Sequence, residues 1–550
     1  MQKNIISICS VLIIALIAGF ALLHPGLPPT HDGEYHVIRF YEFDKVLRDG
    51  NLYPRWAPDL NNGFGIPLFN YVYPLPNYFA SFLHAFGVSF IDAFKLNMFF
   101  ATLFGAFFFY LWAKEYWGNA GGVISSAFYS FSPYRFVDTY IRGSVGEVWA
   151  LAFFPALLWS YFCFQKTRKK KFFILTSVFL AFLVYSHNIL ALIFFVFFIF
   201  YALVMLIGKE QRIFRIKDFV LQVVIGLGLS SPFWIPALFE TKYVVGLQIF
   251  DVTAHFPELY ELIIPSWGSG FSGSQSFDKM SFQIGVANII AIIFVVLKLF
   301  KNSKKNNPEK NIIIFFVVSF FLLIFLMLSY SSWIWTHFPL LPYLQFPWRL
   351  LSLEIVIASF LAGGLFQNID IRVSVRKKII FIFALVGVIF LGINYAKPAF
   401  YHMRSDNYYT TRSNFIDSTN SIGNVFNTKW LVSIPLKEKN KMLFNSGSGK
   451  VEFVRKKSTE VTFKVDAFTD SNLIFNNAYF PGWTGTMDSH EIKIDNFSGR
   501  DSFAIPKGSH IVEIKLKSTP IQNFSYLCFV IASTVLFFSS IKTFSGIIKK

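Results

Sequence analysis

The sequence predicts a polytopic α-helical membrane protein of about twelve transmembrane helices, with a small β-rich extracytoplasmic domain before the last helix. Three observations carry this. Hydrophobic residues make up 54% of the 550 positions and charged residues only 15%, with 71 phenylalanines and a mean hydropathy of +0.49. A water-facing surface needs far more charge. Apolar runs of the roughly 20 residues that cross a bilayer recur along the chain. Short basic tracts separate them: Lys166–Lys171, Gly208–Lys217, Lys301–Lys310, Arg372–Lys378 and the terminal Lys549-Lys550.

The expected spans lie near 4–23, 94–113, 121–140, 147–164, 172–186, 189–207, 219–238, 285–300, 312–330, 349–366, 378–395 and 524–545. No small-residue cleavage site follows the first run, which is therefore read as a retained helix. With Lys3 in the cytoplasm and the spans alternating, every basic tract falls on the cytoplasmic side, as the positive-inside rule requires. Both termini are then cytoplasmic, in a multi-pass protein of the cell (inner or plasma) membrane. The net charge of +18 reads as topology and not as a nucleic-acid surface, which would gather charge on one folded domain; no nucleic-acid partner is expected. Cys9, Cys163 and Cys528 sit in apolar runs, so neither a disulfide framework nor a cysteine zinc site is available.

Three regions follow: a multi-span region 1–395 with a first outer loop at 24–92, a β-rich region 396–523, and a final helix with basic tail at 524–550. The β reading rests on alternation of polar and apolar residues in Lys450–Arg455, Glu460–Val465 and His510–Leu516, punctuated by Gly, Asn, Asp and Ser. Leu75 to Phe90 is apolar but short, the pattern of a helix lying in the headgroup layer. Few buried charges are expected within the spans.

Candidate chemistry gathers on the outer face. Directly after the first span comes Pro28-Pro-Thr-His-Asp-Gly-Glu-Tyr-His36, which puts Asp32 and Glu34, flanked by His31 and His36, at the mouth of a bundle. The alternative for Asp32 is a simple cap on the following helix. Tyr185-Ser-His-Asn188 marks a second outer turn and offers His187 and Asn188, although a His-Asn pair also serves as a plain turn. Leu341–Leu350 places Trp348 and Arg349 under an aromatic belt; the arginine either snorkels or binds phosphate through its guanidinium fork. Arg55, Arg142 and Lys242 are further candidates for the phosphate. No phosphate loop, HExxH or GxSxG motif is present. His31, His36 and Asp32 match no zinc signature, and a divalent cation is the one cofactor left open.

The stretch from Thr30 to Phe79, with Ser186-His-Asn188 and Gln345–Leu350, resembles the bacterial membrane family labelled "6-pyruvoyl-tetrahydropterin synthase-related". Asn477–Trp483 and the stretch Ile505–Lys517 look like the soluble tail of YfhO-like membrane proteins. The pterin-synthase label describes a soluble zinc enzyme for which this chain has no matching site. What the resemblance implies is the GT-C superfamily of integral-membrane glycosyltransferases, which use a lipid-phosphate-linked sugar, commonly on a polyprenyl phosphate, and act outside the cytoplasm. An acidic residue in the first outer loop serves there as catalytic base or metal-associated carboxylate, the position of Asp32 here with Glu34 beside it.

On this reading Asp32 is the base and Arg349 the foremost phosphate ligand, with His36, Arg55, His187, Asn188, Lys242 and Trp348 as further substrate-binding candidates. The implied partners are a polyprenyl-phosphate sugar donor, a glycan, lipid or protein acceptor, and membrane lipid. Glu240 to Ile284 is a candidate cover over the site, and Trp267 a candidate for stacking on a sugar ring. A transporter or flippase for lipid-linked glycans, or a non-catalytic assembly protein, is the competing function.

Overall fold

The computed structural model describes residues 2–547 except 208–209, 247–250, 274–277, 302–309, 339–340, 368–373, 412–424, 432 and 434. Most of the basic tract 301–310, parts of the tracts 208–217 and 372–378, and Lys549-Lys550 therefore lie outside the described residues.

Among the described residues, eight helices are long and apolar enough to cross a membrane, or nine if Arg212–Leu229 and Ser231–Phe239, bent by 75°, form one span. Each of the twelve expected spans meets a helix, but not twelve full-length ones. The spans expected at 94–113 and 121–140 fall on one helical stretch, Phe90–Ser130, interrupted at Gly118 with φ 73° and ψ −178°. Only glycine adopts that backbone without penalty. Packing shows that the chain reverses there: Ser126 donates to the Ala106 carbonyl at 2.8 Å, Tyr129 stacks on Phe109 at 4.4 Å, and Gly122 abuts Tyr110. The second arm stops at Ser130, well short of 140, because Pro133 disfavours helix at the residue before it. Residues Val137–Arg142 then wind as a single wide π-type turn. Helices Lys170–Ser186 and Val286–Lys301, with 17 and 16 residues, are short for a full crossing.

Lys166 and Arg168 of the basic tract 166–171 pair at one end of the bundle, where Lys114 and Lys298 are also held. Lys166 pairs with Glu115 at 2.9 Å, Arg168 pairs with Asp218, Lys114 donates to Asn4 at 3.1 Å, and Lys298 donates to the Gly364 carbonyl at 2.8 Å. The helix Val145–Thr167 leads from Glu147 at its start to Lys166 at its end, so the outer-face candidates lie at the opposite end from these pairs.

The region before the last helix forms two antiparallel sheets. Its strands are β1 (Met442–Ser446), β2 (Gly449–Lys456), β3 (Glu460–Ala467), β4 (Ser471–Ala478), β5 (Trp483–Met487), β6 (His490–Ile492), β7 (Asp495–Phe497), β8 (Arg500–Ile505) and β9 (Gly508–Leu516). One sheet runs β1-β4-β8-β7 and the other β2-β3-β9-β5-β6. The expected alternation is real: every second residue of β3 is buried, and Phe463, Val465, Leu473, Phe475, Phe503, Val512 and Ile514 form the core between the sheets. The motif Asn61-Asn-Gly-Phe-Gly-Ile-Pro67 is the socket for this domain. Ala478 donates to the Phe64 carbonyl at 2.8 Å, Asn62 donates to the Pro435 carbonyl at 2.6 Å, and Trp56 meets Trp483 edge-on at 5.4 Å. The last helix, Pro520–Ile547, leaves from the base of the sandwich.

Candidate functional site

Asp32 stands at the N-cap position of helix Gly33–Arg48, yet its side chain makes no cap hydrogen bond. Its backbone is in the helical region (φ −111°, ψ −5°) and not in the extended conformation of a capping residue, and the Thr30 hydroxyl oxygen accepts from the Gly33 amide at 3.0 Å. The backbone is strapped to the π-type turn: the His31 and Asp32 amides donate to the Ile141 and Arg142 carbonyls, both at 2.9 Å. Among the described residues the Asp32 carboxylate has no hydrogen bond or ion pair, and it is partly open to solvent. A carboxylate released from capping is available to a ligand. The strap needs Gly143, whose φ is +67° and where a Cβ would stand 2.2 Å from the Thr30 hydroxyl. Gly143→Ala is expected to destabilise the fold by at least the 1–2 kcal/mol of left-handed backbone and to shift Asp32; thermal melting and an Asp32-dependent assay check both.

Beneath Asp32 lies a buried ionic cluster. Arg142 forks onto Glu147, with Nη1–Oε2 at 2.5 Å and Nη2–Oε1 at 2.7 Å, and also reaches Asp138 at 2.5 Å. From the start of another helix, Arg349 Nε donates to Glu147 Oε1 at 3.1 Å, and its Nη1 donates to Gln345 and to the Leu344 carbonyl. Its Nη2 has no protein partner among the described residues. Trp348 lies under the Arg142 guanidinium, 4.9 Å from it. Arg135 and Glu354 are also buried, so the expectation of few buried charges does not hold. The paired charges sit at helix ends, where Glu147 falls in the first turn of its helix.

Tyr73 links Asp32 to this cluster. Its ring lies 5.0 Å from His187 and 6.4 Å from His36, and its phenol, pushed up first by burial, also senses Arg39, Asp32, Glu147 and Arg142. Arg39 occupies the face of Gly33–Arg48 that carries Tyr35 and His36, at helical spacing from Asp32. It forms no ion pair among the described residues, and its Nε is buried without a partner. His187 Nδ1 accepts from the Leu190 amide at 3.2 Å, capping the next helix, and Nε2 faces Glu147 at 3.7 Å.

His36 is held well below the usual histidine range, by burial and then by Arg39 and His187. His187 is held to about 3, chiefly by burial. Their unfolded forms take up protons near pH 6.5 that the folded forms refuse, so stability falls as pH drops below about 6.5. Each such imidazole costs about 1.4 kcal/mol per pH unit until its folded pKa is reached. The melting temperature is expected to fall between pH 7 and pH 5, less steeply in His36→Gln.

Other candidates sit apart from this group. Glu34 turns toward Arg404, at 3.7 Å. Arg55 is wholly engaged: it bonds Asn70 at 2.7 Å, the Pro232 carbonyl at 3.0 Å and the Tyr526 hydroxyl at 3.0 and 3.2 Å. It joins a second buried hub in which Glu240 accepts from Asn70 at 2.8 Å and Gln522 at 3.0 Å. That hub ties the first outer loop to the last helix and commits all three Arg55 nitrogens to protein partners. Lys242 is exposed above Tyr243, and Asn188 donates to the Tyr71 carbonyl at 3.0 Å. Trp348 is buried against Phe346, 5.0 Å away, so it supports Arg142 and has no open face for a sugar. Trp267 lies at the rim beside Tyr395, 4.8 Å away. The segment around it does reach the site, since His31 Nε2 bonds the Ser269 carbonyl at 2.6 Å and its ring stacks on Phe271.

Among the described residues no three His, Cys, Asp or Glu side chains converge to hold a metal ion. His31 is engaged with Ser269, His36 is enclosed by aromatic rings, and Glu34 points elsewhere. The residues present do not fit a cation cage around Asp32.

Comparison with known proteins places the chain. A family model described as "6-pyruvoyl-tetrahydropterin synthase related domain; membrane protein" matches residues 69–401. The match includes Tyr73, Arg142, Glu147, His187 and Arg349, and begins after Asp32. An uncharacterized protein of Lactococcus lactis subsp. cremoris (strain MG1363) is 24% identical over 315 residues, 54% of this chain; the chain spans about half of that relative, 50% of its length. Among solved structures, the arabinofuranosyltransferase AftD from Mycobacteria aligns over 74% of this chain and 28% of its own, at 15% identity and a TM-score of 0.49. The Archaeoglobus fulgidus oligosaccharyltransferase aligns over 73% of this chain and 54% of its own, at 15% identity and a TM-score of 0.40. Both scores lie below 0.5. The family model covers more than half of the sequence, and the chain belongs to the membrane-protein family of the 6-pyruvoyl-tetrahydropterin synthase related domain.

Proposed function

We propose that the protein is a membrane glycosyltransferase of GT-C type. It moves a sugar from a polyprenyl-phosphate donor to a cell-envelope glycan, lipid or protein acceptor on the extracytoplasmic face. The observation that carries the reading is the Asp32 carboxylate, which makes no cap hydrogen bond and is set above a cluster of arginines. Attack of an acceptor hydroxyl on the anomeric carbon needs a base as the oxygen–carbon bond forms, and Asp32 takes that proton. The bond from the anomeric carbon to the phosphate oxygen breaks, and the phosphate departs with the electron pair. It is a good leaving group, so no second carboxylic acid is needed, unlike in glycosidases. Arg349 Nη2 and Arg39 are the cations for the departing charge.

A donor with a long polyprenyl tail presents its phosphate only at the membrane surface, which suits a site at helix ends. The basic tract 166–171 pairs at the other end, which supports an orientation with Asp32 outside the cytoplasm and the N-terminus within it. The transporter reading calls for ionisable groups along a mid-membrane path; here the paired charges sit at helix starts.

Deleting the gene and analysing lipid-linked sugars and surface glycans by mass spectrometry tests the reading. A missing surface sugar with accumulation of its polyprenyl-phosphate form on the outer leaflet is expected. Accumulation confined to the inner leaflet would favour transport instead.

A further inference from the structure

A second site lies between the first outer loop and the β sandwich. A cleft of about 560 Å³ opens there, lined by Lys45, Asp59, Lys439, Lys441, Lys456, Lys457 and Trp483 among others. That volume falls within the range of about 300–1,000 Å³ typical of ligand sites. Lys45 is neutralised by Asp59 at 2.5 Å, and Asp49 is occupied by Ser458, whose amide and hydroxyl donate to it at 2.7 and 2.5 Å. Among the described residues Lys439, Lys441, Lys456 and Lys457 form no ion pair. Lys441 is the unusual one: its ammonium is held by the Gly63 carbonyl and rests near the Phe475 ring. Burial and then Lys456 push its pKa down to about 8. Lys441 is half-buried, and Asp59 and Asp501, which favour its charge, form no ion pair with it; a bound anion would lower the cost of that partly desolvated charge. The indole nitrogen of Trp483, a residue only 5% exposed, has no hydrogen-bond partner.

We infer that this cleft binds an anionic saccharide chain, with Lys441, Lys439 and Lys456 holding its phosphate or carboxylate groups and the Trp483 N–H a sugar oxygen. Helix Gly33–Arg48 runs from Asp32 at its start to Lys45 at the cleft, a separation of about 20 Å at 1.5 Å per residue. A single sugar cannot bridge that distance, so a ligand that reaches both places is an oligomer. If the glycosyltransferase reading holds, it is the acceptor chain, gripped here while its growing end lies at Asp32. The binding itself does not depend on that reading.

Isothermal titration of the full-length protein in lipid nanodiscs tests the inference, with oligo(glycerol phosphate), oligogalacturonate and maltoheptaose as probes. At least one anionic probe is expected to bind saturably and at least tenfold more tightly than the neutral one, with affinity falling as salt rises. Binding of oligo(glycerol phosphate) alone assigns phosphodiesters, binding of oligogalacturonate alone assigns uronates, and binding of both assigns a site that reads charge. Lys439→Glu with Lys456→Glu, both exposed and safe for folding, should weaken binding at least tenfold, and Lys441→Arg should retain it. Asp32→Asn should bind as wild type does, which separates failure of this site from failure of the catalytic reading. Equal binding of maltoheptaose, no saturable binding of either anionic probe, or an unaffected double variant would overturn the inference.

Discussion

Asp32→Asn is expected to abolish the surface sugar in cells while the protein accumulates to normal levels and melts within a degree or two of wild type. The carboxylate makes no cap hydrogen bond and no ion pair among the described residues, so the amide removes a base without removing a structural contact. Loss of general-base catalysis typically costs 10²–10⁴-fold in rate, and an assay on the reconstituted protein should show a fall of that size. Asp32→Glu, which keeps the carboxylate but displaces it by about one bond length, should recover part of the rate. Thr30→Ala tests the same geometry from the other side. It removes the hydrogen bond from the Gly33 amide that anchors the turn carrying Asp32, so activity should fall while the helix survives.

Glu147→Gln is expected to have the largest effect on stability. Glu147 is fully buried and takes three of the donors of Arg142 and Arg349. An amide offers one acceptor oxygen to the two guanidinium groups and leaves their two charges in an apolar setting against one contacting carboxylate among the described residues, Asp138 on Arg142. Removing one partner from a buried ion pair costs about 3–5 kcal/mol, read as a marked fall in melting temperature in detergent. Glu147→Asp keeps the charge and should lose less. A Glu147→Gln variant that melts like wild type would mean that the two arginines find water or lipid phosphate without it.

The β sandwich was legible because alternation is local: β2, β3 and β9 fall on the runs 450–455, 460–465 and 510–516. The place of Asp32, at the start of the helix that follows the first span, was legible because its motif breaks sharply from the preceding apolar run. Glu147 was missed because a carboxylate in the first turn of an otherwise apolar helix looks like ordinary helix-end decoration. Its arginine partner Arg349 stands some two hundred positions away, and only packing brings the two together. Arg39 was hidden for a different reason, since helix Gly33–Arg48 is polar enough to read as loop. Arg55 misled because a buried arginine in an outer loop serves equally well as a tether, and four protein contacts make it one. Gly118 does separate the spans expected at 94–113 and 121–140, and what the hydropathy overstated was length: the second arm stops at Ser130, and helices of 16 and 17 residues stop short of a full crossing.

The central claim is that Asp32 takes the acceptor proton during sugar transfer from a polyprenyl phosphate. The most direct measurement follows release of free polyprenyl phosphate by mass spectrometry in vesicles holding the purified protein, its donor and an acceptor. Wild type should release it in proportion to sugar transferred, and Asp32→Asn should release it at least a hundredfold more slowly with donor binding intact. Release by Asp32→Asn at the wild-type rate would contradict the claim and remove Asp32 from the chemistry.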